Sequence, residues 1–154
     1  MGAVSNLVNA VGVAVACQRD KFVAILKNEP IVTSTHDYND QTISNFTISA
    51  YINGSHKTVG RFALRQLPGC CGVVVFHHSE VTSEFRKKGL GKLFLQIRHH
   101  AAVLAGYSLA MATVQVTNTV ECKMLEKEGW QAVAEFVNKR TNNKIRVYTF
   151  NLQP

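Results

Sequence analysis

Residues 73–116 run through an unbroken apolar stretch, a turn of basic residues and glycines, a helical repeat and a second apolar stretch. This succession restricts the fold more than any other feature of the chain. The run Val73-Val74-Val75-Phe76, inside residues 71–81, predicts a strand buried on both faces in the middle of a sheet. Over residues 89–104 the apolar positions Leu90, Leu93, Phe94, Ile97, Ala101 and Leu104 recur at helical spacing, and Gly106 closes the segment. Residues 109–116 predict a second central strand. Two strands joined through a helix form a β-α-β unit.

The flanks complete a mixed α/β sheet. In residues 7–26 the apolar positions fall mostly at helical spacing, with Ser5 as cap and Pro30 as stop, for one long helix or two short ones. A polar stretch over 33–41 connects to residues 43–52 and 58–67, which alternate about the tight-turn pair Asn53-Gly54 and predict a β-hairpin. Pro68-Gly69 marks another turn. Asn118 caps a helix with Glu121 at its third position, Gly129 ends it, and residues 131–138 and 145–152 form a last hairpin. With 154 residues and 46% of them hydrophobic, the chain fits a single domain over 1–154. Its Gly 10, Pro 3 and 18% charged residues exclude low-complexity and collagen-like sequence.

The net charge of +7 is unevenly placed. Residues 1–85 balance six basic against six acidic side chains, whereas 86–120 hold Arg86, Lys87, Lys88, Lys92 and Arg98 with no acid. That concentration suits a compact anionic ligand at one locus better than a stripe following a nucleic-acid backbone. Cys17, Cys70, Cys71 and Cys122 include no C-x-x-C pair, and adjacent Cys70-Cys71 makes no ordinary bridge, so a reduced, cytoplasmic chain is expected. The apolar residues 7–17 lack a basic lead-in and are too short to span a membrane, and Asn6 stands where a myristoylation signal needs Ser or Thr. No membrane partner is expected.

The segment Val81-Thr82-Ser83-Glu84-Phe85-Arg86-Lys87-Lys88-Gly89-Leu90-Gly91 leads from the buried strand into the helix. Such a turn is an anion cradle. Unpaired N–H groups at a helix N-terminus carry partial positive charge, glycines let the backbone approach a diphosphate, and lysines add attraction. Phe94 stands where G-x-G-x-x-G needs its third glycine, and Leu93 follows Lys92 where a Walker loop needs Ser or Thr, so neither nucleotide motif applies.

The segment resembles the pyrophosphate loop of the GNAT superfamily of N-acetyltransferases, V-x-P-E-(Y/F)-R-(G)-K-G-(I/L)-G, with Ser83 in place of Pro and Lys87 in place of Gly. At the right distance, Asn118 followed by Met124-Leu125-Glu126-Lys127-Glu128-Gly129-Trp130 resembles the superfamily's N-x-x-A-x-x-L-Y-E-K-x-G-F. The resemblance covers about residues 73–130. It implies acetyl-CoA in the opening between two splayed central strands, with the diphosphate on the loop and the pantetheine pairing with strand backbone. Carried over residue by residue, the cofactor-binding set is Ser79, Val81, Arg86, Lys87, Lys88, Gly89, Leu90, Gly91, Lys92 and Asn118. An ordinary strand-to-helix turn explains the loop less well, while helix capping alone suffices for Asn118.

Acetyl transfer to an amine needs a neutral nitrogen, a donor polarising the thioester carbonyl and a proton source for the leaving thiolate. The resemblance places Leu125 where the superfamily often carries a proton-donating Tyr, so Cys122, a water, another side chain or no acid at all serves that step. Strict alternation puts His77 on the face with Ser79 and Val81, and His78 with Glu80 on the other, which makes His77 the candidate catalytic base. A hydrogen-bonded core histidine is the alternative. His99-His100 are read as surface residues, and adjacent histidines without a cysteine pair offer no metal set. Lys139, Arg140 and Lys144 make the last hairpin tip basic, either as solvated charge or at an acceptor entrance.

The expectation is an N-acetyltransferase that moves an acetyl group from acetyl-CoA to a primary amine, of a small molecule or a protein, by direct attack in a ternary complex. Its alternative is a non-catalytic acyl-CoA-binding or structural module. A basic nucleic-acid-binding domain ranks last, because residues 86–92 interleave no aromatics. A homodimer through edge strands or the last hairpin stays open.

Overall fold

The computed structural model describes residues 3–36 and 42–152. Along these residues run α1 (Ala3–Cys17), α2 (Arg19–Leu26), β1 (Ile31–His36), β2 (Ile43–Ile52), β3 (Ser55–Gln66), β4 (Val73–Val81), α3 (Leu90–Leu104), β5 (Leu109–Gln115), α4 (Thr119–Lys127), β6 (Gln131–Asn138) and β7 (Asn143–Asn151). The strands make one mixed sheet in the order β1-β2-β3-β4-β5-β7-β6, with β4 and β5 parallel and the other described pairs antiparallel.

Local chemistry sets most of these elements. Asn53 (φ 53°) and Gly54 (φ 81°) both take left-handed backbone, as the two-residue turn joining β2 to β3 requires. The N-terminal helical stretch divides in two at Gln18, and α1 begins at Ala3, so Ser5 lies inside the helix rather than capping it. Part of the polar stretch 33–41 is strand. Ile31–His36 pair along β2 at the sheet edge, where exposed Thr, Ser and His side chains suit a strand hydrogen-bonded on one side only. Residues 37–41 lie outside the described residues.

β4 occupies the middle of the sheet but is not buried on both faces. Val74 and Phe76 are buried while Val73 and Val75 are half-exposed, and β5 likewise alternates buried with exposed positions beyond its start. The reason is that α1 and α3 pack together over β2, β3 and β4. Phe46 stacks on Phe62 there and Phe94 packs tilted against Phe62, with ring centroids 5.5 Å apart in each pair. Gly60 permits this approach: a Cβ at that position would lie 2.5 Å from both the Glu80 carbonyl oxygen and Phe94 Cε2.

Two features open the sheet at its centre. β4 and β5 pair only at Val73–Leu109, Val74–Ala110 and Val75–Met111, and then part. Next to the parting, Leu64 pairs with Phe76 and Phe62 with Ser79, so two β4 residues, His77 and His78, stand opposite the single Ala63. An extra residue of this kind is a β-bulge, which bends its strand and increases the local twist.

Candidate functional site

The parting strands enclose a cavity of about 550 Å³. From β4 its lining takes His77, His78 and Ser79, and from β5 Thr113, Val114 and Gln115. Arg98 of α3, the α4 cap Asn118, and Glu121 and Leu125 of α4 also line it.

The turn from β4 to α3 lies beyond the end of β4. Residues 83–85 form a short 3-10 turn that buries Phe85, and the Arg86 Nε donates to the Val81 carbonyl oxygen at 2.9 Å, tying the turn back to the strand. Lys87 adopts left-handed backbone (φ 63°), as does Gly89 (φ 85°), the N-cap of α3. Gly89 has no side chain to cap the helix, and the first intrahelical bond runs from the Leu93 N–H to its carbonyl. The N–H groups of the first turn therefore point outward as donors. A Cβ on Gly91 would meet nothing within 4 Å, so the space above the first turn is open.

Not every residue of the expected cofactor set contributes its side chain. Leu90 is buried in the core and offers only its backbone N–H. Lys92 turns away from the loop to pair with Glu128 at 3.4 Å. Lys88 lies over the Phe85 ring, 5.9 Å from its centroid. Ser79 lines the cavity, whereas Val81 does not, and its carbonyl is engaged by Arg86. Asn118 caps α4, its Oδ1 accepting from the Glu121 N–H at 3.2 Å, and lines the cavity as well.

The bulge corrects the alternation argument for His77. Ser79 and Val81 pair with Phe62 and Gly60 on the face packed by α3, the face that also holds Phe76, and the odd residue falls between Phe76 and Ser79. Period-2 counting therefore does not carry His77 to the face of Ser79. His77 nevertheless lines the cavity, and its carbonyl accepts from Arg98.

Arg98 corrects the charge argument. It is one of the five cations whose concentration in residues 86–120 suggests an anionic ligand, but it lies inside the apolar stripe of α3 and is only 2% exposed. Its guanidinium donates to the His77 carbonyl oxygen at 3.1 Å and sits 5.0 Å from the Phe76 ring centroid and 5.9 Å from that of Phe62. Burial lowers its pKa to about 10, against the opposing pull of the Glu121 carboxylate, so it stays protonated at neutral pH. Arg98 and Glu121 are charged cavity residues that sequence reasoning did not place at a site. Their signals were a cation in an apolar stripe and an acid one helical turn from both Asn118 and Leu125.

The remaining candidates lie elsewhere. The Cys122 Sγ donates to the Gln115 carbonyl oxygen at 3.8 Å and does not line the cavity. His99 is half-buried rather than a surface residue, edge-on to Phe150 with centroids 4.7 Å apart, and burial holds its pKa below the ordinary value. Lys144 pairs with Glu135 at 3.1 Å on the last hairpin. Among the described residues no helix is long and apolar enough to cross a membrane.

No protein-family model matches the chain, and no curated protein matches it in sequence. Its fold is similar to that of many solved structures. One is a GNAT family acetyltransferase from Elizabethkingia anophelis with acetyl-CoA bound, at TM-score 0.65 and 10% identity over 79% of this chain and 97% of the other. A second, the IAA acetyltransferase of Bacillus cereus, gives 0.63 and 10% over 80% and 99%. A third, the spermidine/spermine N-acetyltransferase SpeG of Vibrio cholerae, gives 0.62 and 12% over 73% and 67%.

Proposed function

We propose that this chain, whose fold is that of the GNAT superfamily of N-acetyltransferases, transfers an acetyl group from acetyl-CoA to a primary amine in a ternary complex. One observation carries the reading: the uncapped, glycine-bounded N-terminus of α3 lies beyond β4, on the side where β4 and β5 stop pairing. The residues fit the donor. Open space over Gly91 suits a diphosphate on the first-turn N–H groups, with exposed Lys87 and Lys88 beside it. The cavity between the strands is large enough for a pantetheine arm lying along Ser79, with Asn118 at its other wall.

Bound acetyl-CoA supplies an activated acyl thioester. The chain's part is to orient it and to manage protons. Arg98 fixes the bulge through the His77 carbonyl, and His77 is retained as a candidate base at the cavity wall. The similarity to a spermidine/spermine acetyltransferase supports an amine acceptor. A reduced chain working in the cytoplasm accords with this reading.

A second reading, a non-catalytic acyl-CoA-binding module, is favoured by Leu125, which is 1% exposed at the cavity wall and has no proton to give. Acetyl-CoA-dependent stabilisation, followed by CoA release with a panel of small and peptide amines, separates the two. Catalysis predicts both, with His77→Ala keeping the stabilisation and losing turnover. Stabilisation without release from any amine favours the module, and absence of stabilisation refutes both.

A further inference from the structure

We propose that the face of the sheet left free by the helices is a two-fold interface between two copies of this chain. Among the described residues all four helices lie on one side of the sheet. α1 and α3 pack together there, α2 shares a hollow with the first turns of α3, and α4 stands opposite α3 across the cavity. Val74, Phe76, Ala110, Ala112 and Tyr148 beneath them are buried.

The residues that alternate with this set form the other side. Register places them next to one another: Val75 pairs with Met111 and Met111 with Thr149, Val147 with Thr113 and Ala134, and Ile145 with Gln115 and Phe136. Each is half-exposed or exposed. A sheet face that stays in water carries polar side chains, yet here Val75, Met111, Ile145 and Val147 stand open, with the Phe136 ring 48% exposed at their edge. Contiguous apolar surface of this kind marks a contact.

Charge and size select the occupant. The chain carries a net +7, but no outward position of β5, β6 or β7, or of β4 before its bulge, is charged. The neighbouring outward cations, Arg61 and Arg65, belong to β3. An anionic or a cationic partner finds no counter-charge in this region, whereas two copies of the chain can meet across it without apposing their like charges. Depletion of charge is what the core of a homodimer interface shows. A two-fold axis sets the patch against itself, with the two sheets about 10 Å apart. β5 pairs with β7 over seven residues, a length of about 23 Å. Seven strands about 4.8 Å apart make the sheet about 34 Å wide, so the face measures roughly 700–800 Å² in plan. That is the scale of one side of a standard stable interface, about 800 Å². Thr113 and Gln115 also line the cavity, so the cavity reaches this face and the second copy borders its opening.

Sedimentation velocity across the micromolar range tests the assignment. The wild-type chain is expected to sediment at twice the chain mass. Val147→Arg sets an unpaired cation into the interface from each copy and should raise the dimer dissociation constant about a hundredfold or more. Phe136→Arg, at a position that is already 48% exposed, should weaken the dimer too and gives the reading should Val147→Arg not fold, with circular dichroism as the check. Val137→Arg, which pairs with Lys144 on the helix side of β6, should leave the dimer intact. A wild-type chain that stays monomeric overturns the inference. So does a dimer that tolerates both Val147→Arg and Phe136→Arg, because it is joined elsewhere, or one that Val137→Arg disrupts equally.

Discussion

Gly91→Asp separates what the loop does for the fold from what it does for a ligand. Position 91 is in the first turn of α3, and a Cβ there meets nothing within 4 Å, so the new side chain needs no rearrangement. Replacing glycine inside a helix removes an entropic penalty, and a carboxylate in the first turn interacts favourably with the helix dipole, each contributing about 0.3–1 kcal/mol. The unliganded variant should therefore melt at or slightly above the wild-type temperature. Ligand binding should behave in the opposite way. A carboxylate about 5 Å from a phosphate charge costs roughly 3 kcal/mol at an effective dielectric of about 20, which lowers affinity by about two orders of magnitude. Acetyl-CoA at about 100 times its dissociation constant should stabilise wild type by about 2.7 kcal/mol, a rise of about 5–11 °C for a domain of this size, and the variant by almost nothing. Differential scanning fluorimetry with and without acetyl-CoA reads both effects. A variant that keeps the full ligand shift would show that the diphosphate does not lie over this turn. One that melts well below wild type without ligand would show that position 91 is not open.

Three further outcomes follow from the packing. Gly60→Ala places a methyl group 2.5 Å from the Glu80 carbonyl and the Phe94 ring, and should cost about 3 kcal/mol, lowering Tm by about 6–12 °C in the same assay. Asn118→Ala removes the cap of α4 and should cost about 1 kcal/mol, measured as a lower urea midpoint with an unchanged slope. His99 binds its proton less readily folded than unfolded, so its contribution to stability is present above the ordinary imidazole pKa and is lost as pH falls through it. Urea midpoints between pH 7 and pH 5 should fall more steeply for wild type than for His99→Gln.

The elements that short-range chemistry defines were legible in the sequence. Asn53-Gly54 announces its turn, Asn118 its cap, and the spacing from Leu90 to Leu104 its helix, because in each case the deciding neighbours lie within a few residues. The glycine-bounded turn into α3 was legible for the same reason. The bulge at His77-His78 was not, because it exists only in the register with Ala63 on β3, and the face of His77 was misread with it. Nor was the destination of Arg98. A cation counts the same in a sequence whether it meets solvent or lies between Phe62 and Phe76, and only the packing of α3 on β4 decides. β1 escaped notice because an edge strand of Thr, Ser and His lacks the apolar alternation that marks half-buried strands.

The three-rung pairing of β4 with β5 gives the sheet an edge in its interior as well as at its rims. Past Val75 and Met111 the two strands no longer hydrogen-bond to each other, and side chains take only some of the backbone groups there, Arg98 the His77 carbonyl and Arg86 the Val81 carbonyl. An extended ligand carrying amide groups of its own can complete the missing rungs. In deuterium exchange the gap-facing amides of the two strands should open as readily as a frayed terminus without ligand and become as slow as the core with it, so occupancy would be written into the protection of the sheet itself.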